Sequence, residues 1–173
     1  MDANLRRKKI LEIIEYEKPT SAYFLSEKLN VSRQAIVGDI ALLRALGHEI
    51  IATTKGYIIA AEYKSSNKYI QKIACKHPPK DTKSELYTIV DTKAEVLNVI
   101  IEHSVYGEIT GQLNIKSRSD ADIFIKKLET SNARLLSELT CGIHYHTLAC
   151  YDKPHFEQVV RFLDSKGYLL KNI

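Results

Sequence analysis

Between Leu5 and Glu17 the apolar residues Ile10, Leu11, Ile13 and Ile14 form a helical stripe, and Pro19 predicts its end. Thr20 or Ser21 can cap a second short helix that turns Leu25 and Leu29 inward. Asn30-Val31 predicts a tight turn. Ser32 is then a good N-cap for a third helix, whose Ile36, Ile40 and Leu43 fall on one face and which Gly47 can terminate. Two β-rich runs follow, Ile50 to Thr54 and Gly56 to Ile59, and predict a hairpin turning at Lys55-Gly56.

Beyond a polar stretch from Ala61 to Asn67 the pattern changes, and the domain boundary is expected there, giving domains at 1–62 and 67–173. Strands are expected over Tyr69 to His77, Glu95 to His103, Glu108 to Ile115 and Gly142 to Cys150. Helices are expected over Lys83 to Asp91, from a Ser119 cap through Thr130, and from Pro154 to Gly167. The order β-α-β-β-α-β-α predicts a mixed or antiparallel sheet with helices on one face, and an α+β class for the whole chain.

The chain has 173 residues, enough for one medium or two small domains, and its +4 formal charge permits nucleic-acid binding without requiring it. Three cysteines (Cys75, Cys141, Cys150) without a CxxC spacing argue against a disulfide framework and for a reducing compartment. No apolar run approaches the roughly 20 residues that cross a bilayer. The expectation is a soluble, cytoplasmic protein with no membrane partner.

Three short helices followed by a hairpin match a winged helix-turn-helix, in which the third helix enters the major groove of double-stranded DNA with its N-terminus foremost. Ser32, Arg33 and Gln34 occupy that position: Ser32 can meet a phosphate, Arg33 a guanine or phosphate, and Gln34 an adenine. Val37, Gly38 and Ala41 continue the outward face and are small enough for close approach. Arg44 and Lys55, the latter on the wing, would serve phosphates, as would Arg6, Arg7 and Lys8. Any one of these residues alone would favour a helical protein-binding module.

The second domain holds five of the six histidines. His144 and His146 stand at i and i+2 on one strand and so project from one face. With His77 at the end of a strand and Glu85 at the start of the next helix, they compose a three-histidine, one-carboxylate set that suits a divalent transition metal such as zinc, nickel or iron. Paired strand histidines also occur without metal, and spacing leaves both readings open. Cys75 and Cys141 are rival ligands. His48 and His155 are expected at the surface.

The stretches Val31-Ser-Arg-Gln-Ala-Ile-Val-Gly-Asp-Ile40, Leu43-Arg-Ala-Leu-Gly47 and Lys55-Gly-Tyr57 resemble the winged-helix modules of bacterial repressors and biotin-ligase repressors. Val37-Gly38 departs from relatives that carry Arg or another polar residue there, leaving fewer side chains for base readout. Cys75-Lys-His-Pro-Pro79, Glu102 to Gly107, Leu113 to Asp120 and Gly142-Ile-His-Tyr-His146 resemble the 3H domain, named for three histidines. Together the two halves resemble the niacin-responsive transcriptional repressor family (NiaR/YrxA-like). The resemblance implies an HPr-like layout for the second domain and a metal held by His77, Glu85, His144 and His146. It further implies nicotinic acid as co-repressor of genes for NAD biosynthesis or niacin uptake. His103 also matches a family position; as a strand-ending residue it is equally a hydrogen-bonding cap. Arg118 could pair with the nicotinate carboxylate, or lie in a solvated loop.

Three functions follow. A nicotinate-responsive repressor, expected to be a homodimer on a palindromic operator, comes first. A repressor for which the ion itself is the signal comes second. A metal-dependent enzyme comes last, because no HExxH, nucleophile motif or phosphate-binding glycine loop occurs.

Overall fold

A helical triplet with a hairpin and a four-stranded sheet with three helices make up two units, Met1–Ser66 and Asn67–Ile173. The structure is a computed structural model, and it describes residues 2–14, 18–59 and 68–171. The expected boundary stretch, Ala61 to Asn67, lies outside the described residues, as do 15–17.

In the first unit α1 (Ala3–Ile13) starts at Asp2, whose carboxylate accepts from the amides of Asn4 and Leu5. The helix ends at Ile13, short of the expected Glu17. Ser21 caps α2 (Ala22–Leu29) by accepting from Phe24 N, and Asn30 ends it in the left-handed conformation, at φ 52°. Ser32 caps α3 (Arg33–Ala45) through Ala35 N. The i, i+4, i+7 stripe of α3, Ile36, Ile40 and Leu43, buries against Ile10, Leu25 and Ile50. Each such side chain contributes about 1.5–3 kcal/mol by leaving water.

Strands β1 (Ile50–Thr53) and β2 (Gly56–Ile59) pair antiparallel, with Thr53 opposite Gly56. Thr20 adds a single bridge to Tyr57, its N–H and C=O both bonded at 2.9 and 2.8 Å. That bridge makes Gly56 obligatory: its φ is +143°, and a Cβ there would stand 2.4 Å from Thr20 O.

In the second unit the order is β3 (Tyr69–Lys76), α4 (Thr82–Val90), β4 (Glu95–His103), β5 (Gly107–Ile115), α5 (Arg118–Ser131), β6 (Ile143–Cys150) and α6 (Lys153–Ser165). This is the order the sequence predicts. All neighbours are antiparallel, in the sheet order β3-β6-β4-β5. Strand β6 alternates over its first half: His144 and His146 are buried and Ile143, Tyr145 and Thr147 partly so, after which Leu148, Ala149 and Cys150 are all buried. Leu148 and Cys150 join Leu86 and Ile89 of α4 and Val159 and Leu163 of α6 in one core.

Two features correct the sequence expectation. Helix α5 is capped by Ser117, not Ser119: Ser117 Oγ accepts from Asp120 N, while the Asp120 carboxylate reaches back to Lys116 N. Two 3-10 helices, Pro79–Asp81 and Leu136–Thr140, interrupt what reads as plain connection. Among the described residues, no helix is long and apolar enough to cross a membrane.

Candidate functional site

Glu85 sits on α4, where Thr82, Glu85, Leu86 and Ile89 share the inward face at helical spacing. It is fully buried, at 0 % exposure. An isolated carboxylate there would be several kcal/mol out of favour, so it requires positive partners. The fold supplies three imidazoles. His77 follows β3 directly, and His144 and His146 project from one face of β6, all three buried. Their Nε2 atoms converge on the carboxylate: His77 at 2.6 Å from Oε2, His144 at 3.2 Å from Oε1 and His146 at 3.4 Å from Oε2.

The other ring nitrogens fix the tautomers. Nδ1 of His77, His144 and His146 lies 3.0, 2.9 and 2.8 Å from the carbonyls of Pro78, Gly142 and Asn98. A carbonyl only accepts, so each Nδ1 carries its proton. In the neutral ring each Nε2 then presents a lone pair, aimed at the lone pairs of Glu85. That arrangement calls for a cation between the donors, either protons or a metal ion. Burial pushes the Glu85 carboxyl up, but the charge of His146 and the contacts of all three imidazoles hold it well below the ordinary glutamate range. Burial opposes protonation of His77 and His146, and Glu85 outweighs it, so both titrate above an ordinary histidine.

The donor set fits a transition metal on three counts. Its composition is three imidazoles and one carboxylate. Ligand atoms on a tetrahedron of ~2.0–2.1 Å bonds stand roughly 3.3 Å apart, close to the His144 and His146 spacings from Glu85, while His77, at 2.6 Å, stands nearer. Nε2 of His146 is buried without a hydrogen-bond partner among the described residues. Cys75 approaches from β3, its Sγ, a Glu85 oxygen and a His144 nitrogen all within 4.8 Å of one another. Burial pushes that thiol up, which favours its neutral form. Cys141 is exposed.

Gly142, at φ +90°, lets the β6 entrance pass under the His77 carbonyl: a Cβ would meet that oxygen at 2.6 Å. Tyr168, in the segment that bonds along the edge of β3, packs its ring 5.3 Å from that of His77.

Beside this cluster opens a cavity of about 200 Å³. Glu85, His144, His146 and Thr82 line its polar end, and Val99, Leu113, Phe124 and Leu136 its walls. Neither His103 nor Arg118, the expected ligand-binding residues, lines it. Arg118 gives a two-pronged pair to Asp91 at 2.7 and 2.5 Å and lies over the Tyr87 ring, so its fork is already filled from within the fold. His103 accepts at Nδ1 from the amides of Val105 and Tyr106, the turn-capping role. His155, expected at the surface, is half-buried and donates to Thr92 O at 2.8 Å. The cationic residue that does line the cavity is Arg134, which sequence reasoning missed. It sits in a connection without periodicity, and no motif marks it.

In the first unit Ser32, Arg33 and Gln34 are exposed at the start of α3, with Val37, Gly38 and Ala41 continuing the outward face, and Lys55 is exposed at the hairpin turn. Arg44, expected to contact phosphate, instead donates from Nε to Ile50 O at 2.8 Å and lies over the Tyr57 ring, tying α3 to the hairpin. Arg6 and Arg7 likewise turn inward, to the buried Asp39 of α3.

The 3H domain family matches residues 70–172, and an HTH domain family matches residues 6–58. The chain is 40% identical over 173 residues to "Transcription repressor NadR" of Bacillus subtilis (strain 168), with 99% of this chain and 96% of that protein covered. It is 38% identical over 167 residues to "Probable transcription repressor NiaR" of Thermotoga maritima, covering 96% of this chain and 94% of that protein.

Proposed function

Because the chain belongs to the family of transcription repressors in which an HTH domain precedes a 3H domain, we propose that it represses genes of NAD metabolism with nicotinic acid as co-repressor. The observation that carries the ligand-sensing part is the cavity whose polar end is the histidine–carboxylate cluster. Its volume lies below the ~300–1,000 Å³ typical of drug-sized sites and suits a single small ring. Apolar walls with few polar groups match a flat heteroaromatic acid.

His77, Glu85, His144 and His146 would hold one divalent metal ion, nickel, zinc or iron, which would supply Lewis acidity beside the cavity. The chain's own residues do the rest. The carbonyls of Pro78, Gly142 and Asn98 hold the imidazoles in the metal-binding tautomer. Tyr168 packs against His77 at the edge of the cluster. In the first unit, Ser32, Arg33 and Gln34 lead α3 into the major groove and Lys55 reaches a flanking phosphate. A homodimer would present two such helices to a palindromic operator.

The test is DNA binding by the metal-loaded chain to an operator selected from random DNA, titrated with nicotinate. Nicotinate-dependent affinity is the expected result; affinity indifferent to nicotinate overturns the co-repressor reading. A second reading, in which the ion is the signal, draws on the complete burial of the donor set. Metal alone switching DNA affinity would establish it.

A further inference from the structure

The charged groups of the cavity lie at different depths. At its inner end lies Glu85, an anion at 0 % exposure. The one Lys or Arg among its described lining residues is Arg134, which is exposed and therefore stands at the mouth. Arg134 makes no ion pair with any described residue, in contrast to Arg118 with Asp91 and Arg6 with Asp39.

Its backbone is nonetheless held. Helix α5 ends at Asn132, which takes the left-handed conformation at φ 54°, and the amides of Asn132 and Ala133 both return to Leu128 O. Two residues beyond Arg134 the chain enters the 3-10 helix Leu136–Thr140, closed by Glu138 N to Leu135 O. An exposed cation thus stands between two hydrogen-bonded turns at an apolar slot, with its planar fork free for a carboxylate.

The inner end has different needs. Thr82 Oγ1 and His146 Nε2 are buried there without hydrogen-bond partners among the described residues, Thr82 at 7 % and His146 at 3 % exposure. Thr82 has a hydroxyl to donate, and an acceptor nitrogen on a ring edge can take it, while the carboxylate of a ring that enters this way faces the mouth, where Arg134 stands.

We propose that Arg134 is the residue that reads the ligand's carboxylate at the mouth of this cavity, so that the ring enters first and the acid is preferred over its amide. The proposal rests on the cavity being the co-repressor site. It assigns acid-versus-amide discrimination to one side chain, and to Arg134 in place of Arg118.

The test is calorimetric binding of nicotinate, nicotinamide and benzoate to the metal-loaded full chain, wild type and Arg134→Gln, with Arg134→Lys and Arg118→Gln alongside. Losing a charge-assisted pair at a partly exposed site lowers affinity about 10- to 100-fold. Arg134→Gln is expected to weaken nicotinate and benzoate to that extent while leaving nicotinamide unchanged. Arg134→Lys should retain part of the preference, and Arg118→Gln all of it. Undiminished acid preference in Arg134→Gln, or its loss in Arg118→Gln, overturns the assignment. If wild type ignores nicotinate yet binds benzoate in an Arg134-dependent way, the assignment stands and the co-repressor reading falls. If neither acid binds wild type, both fall.

Discussion

Replacing Glu85 with glutamine tests the electrostatic logic of the cluster directly, because the side chain keeps its shape and loses only its charge. In the metal-free protein, His77 and His146 have pKa values raised above 6.5, with burial opposing and Glu85 outweighing it, and Glu85 lies well below 4.5. The imidazoles therefore contribute stability that is complete below 6.5 and is lost as pH rises through their folded values. The carboxylate contributes stability present above 4.5 and lost as pH falls through its own folded value. Near pH 5.5, between the two, the attraction is complete. Removing one partner of a buried pair costs about 3–5 kcal/mol. Glutamine keeps hydrogen-bonding capacity, so the lower end, about 3 kcal/mol, is expected. With an m-value of ~1–3 kcal/mol/M, the urea midpoint of the second unit should fall by about 1–3 M near pH 5.5. At a pH above the folded values of His77 and His146 both rings are neutral, the amide can donate to an Nε2 lone pair, and the fall should nearly vanish. Urea titrations of chelator-treated wild type and Glu85→Gln at both pH values, followed by circular dichroism, measure it. An equal loss at both would refute the reasoning, because the cluster would then hold no ionic attraction.

Other consequences reach further along the chain. Metal binding must displace the protons that His77 and His146 retain above the ordinary histidine range, so affinity should fall as pH drops through their folded values; calorimetry in buffers of different ionisation enthalpy should register proton release, and heats independent of buffer would contradict it. Gly142→Ala drives a Cβ to 2.6 Å from the His77 carbonyl at a φ of +90°; a stability loss of about 2 kcal/mol or more and weaker metal binding are expected, and an unchanged thermal midpoint would contradict the close approach. In the first unit, Arg33→Ala should reduce the slope of log affinity against log salt by about 1 if Arg33 contacts phosphate, while Gln34→Ala should relax sequence preference at one base pair at a cost of about 1–3 kcal/mol. A Gln34→Ala protein with unaltered base preference would remove Gln34 from the readout.

Sequence alone determined what depends on local rules. The α3 stripe Ile36, Ile40 and Leu43 and the Ser32 cap need only helical period and side-chain chemistry, and both stand where expected. The alternation of β6 placed His144 and His146 on one face for the same reason. The whole β-α-β-β-α-β-α order was legible because each element carries its own period. Partnership was not legible, because it is decided by residues distant in sequence. Arg118 opens α5 and Arg134 follows its end, and residue type does not tell them apart, yet Asp91 lies opposite the first and a cavity opposite the second. Arg44 and Arg6 read as phosphate contacts, and the sequence did not show that the packing of α3 sets Ile50 and Asp39 against them. The capping of α5 turned on Asp120 reaching back to Lys116. The tautomers of the three histidines depend on the carbonyls of Pro78, Gly142 and Asn98, whose directions are set by how the strands pair. A side chain's type and period are properties of the chain. The group it faces is a property of the packed whole, since only packing excludes the water that would otherwise serve as every polar group's partner.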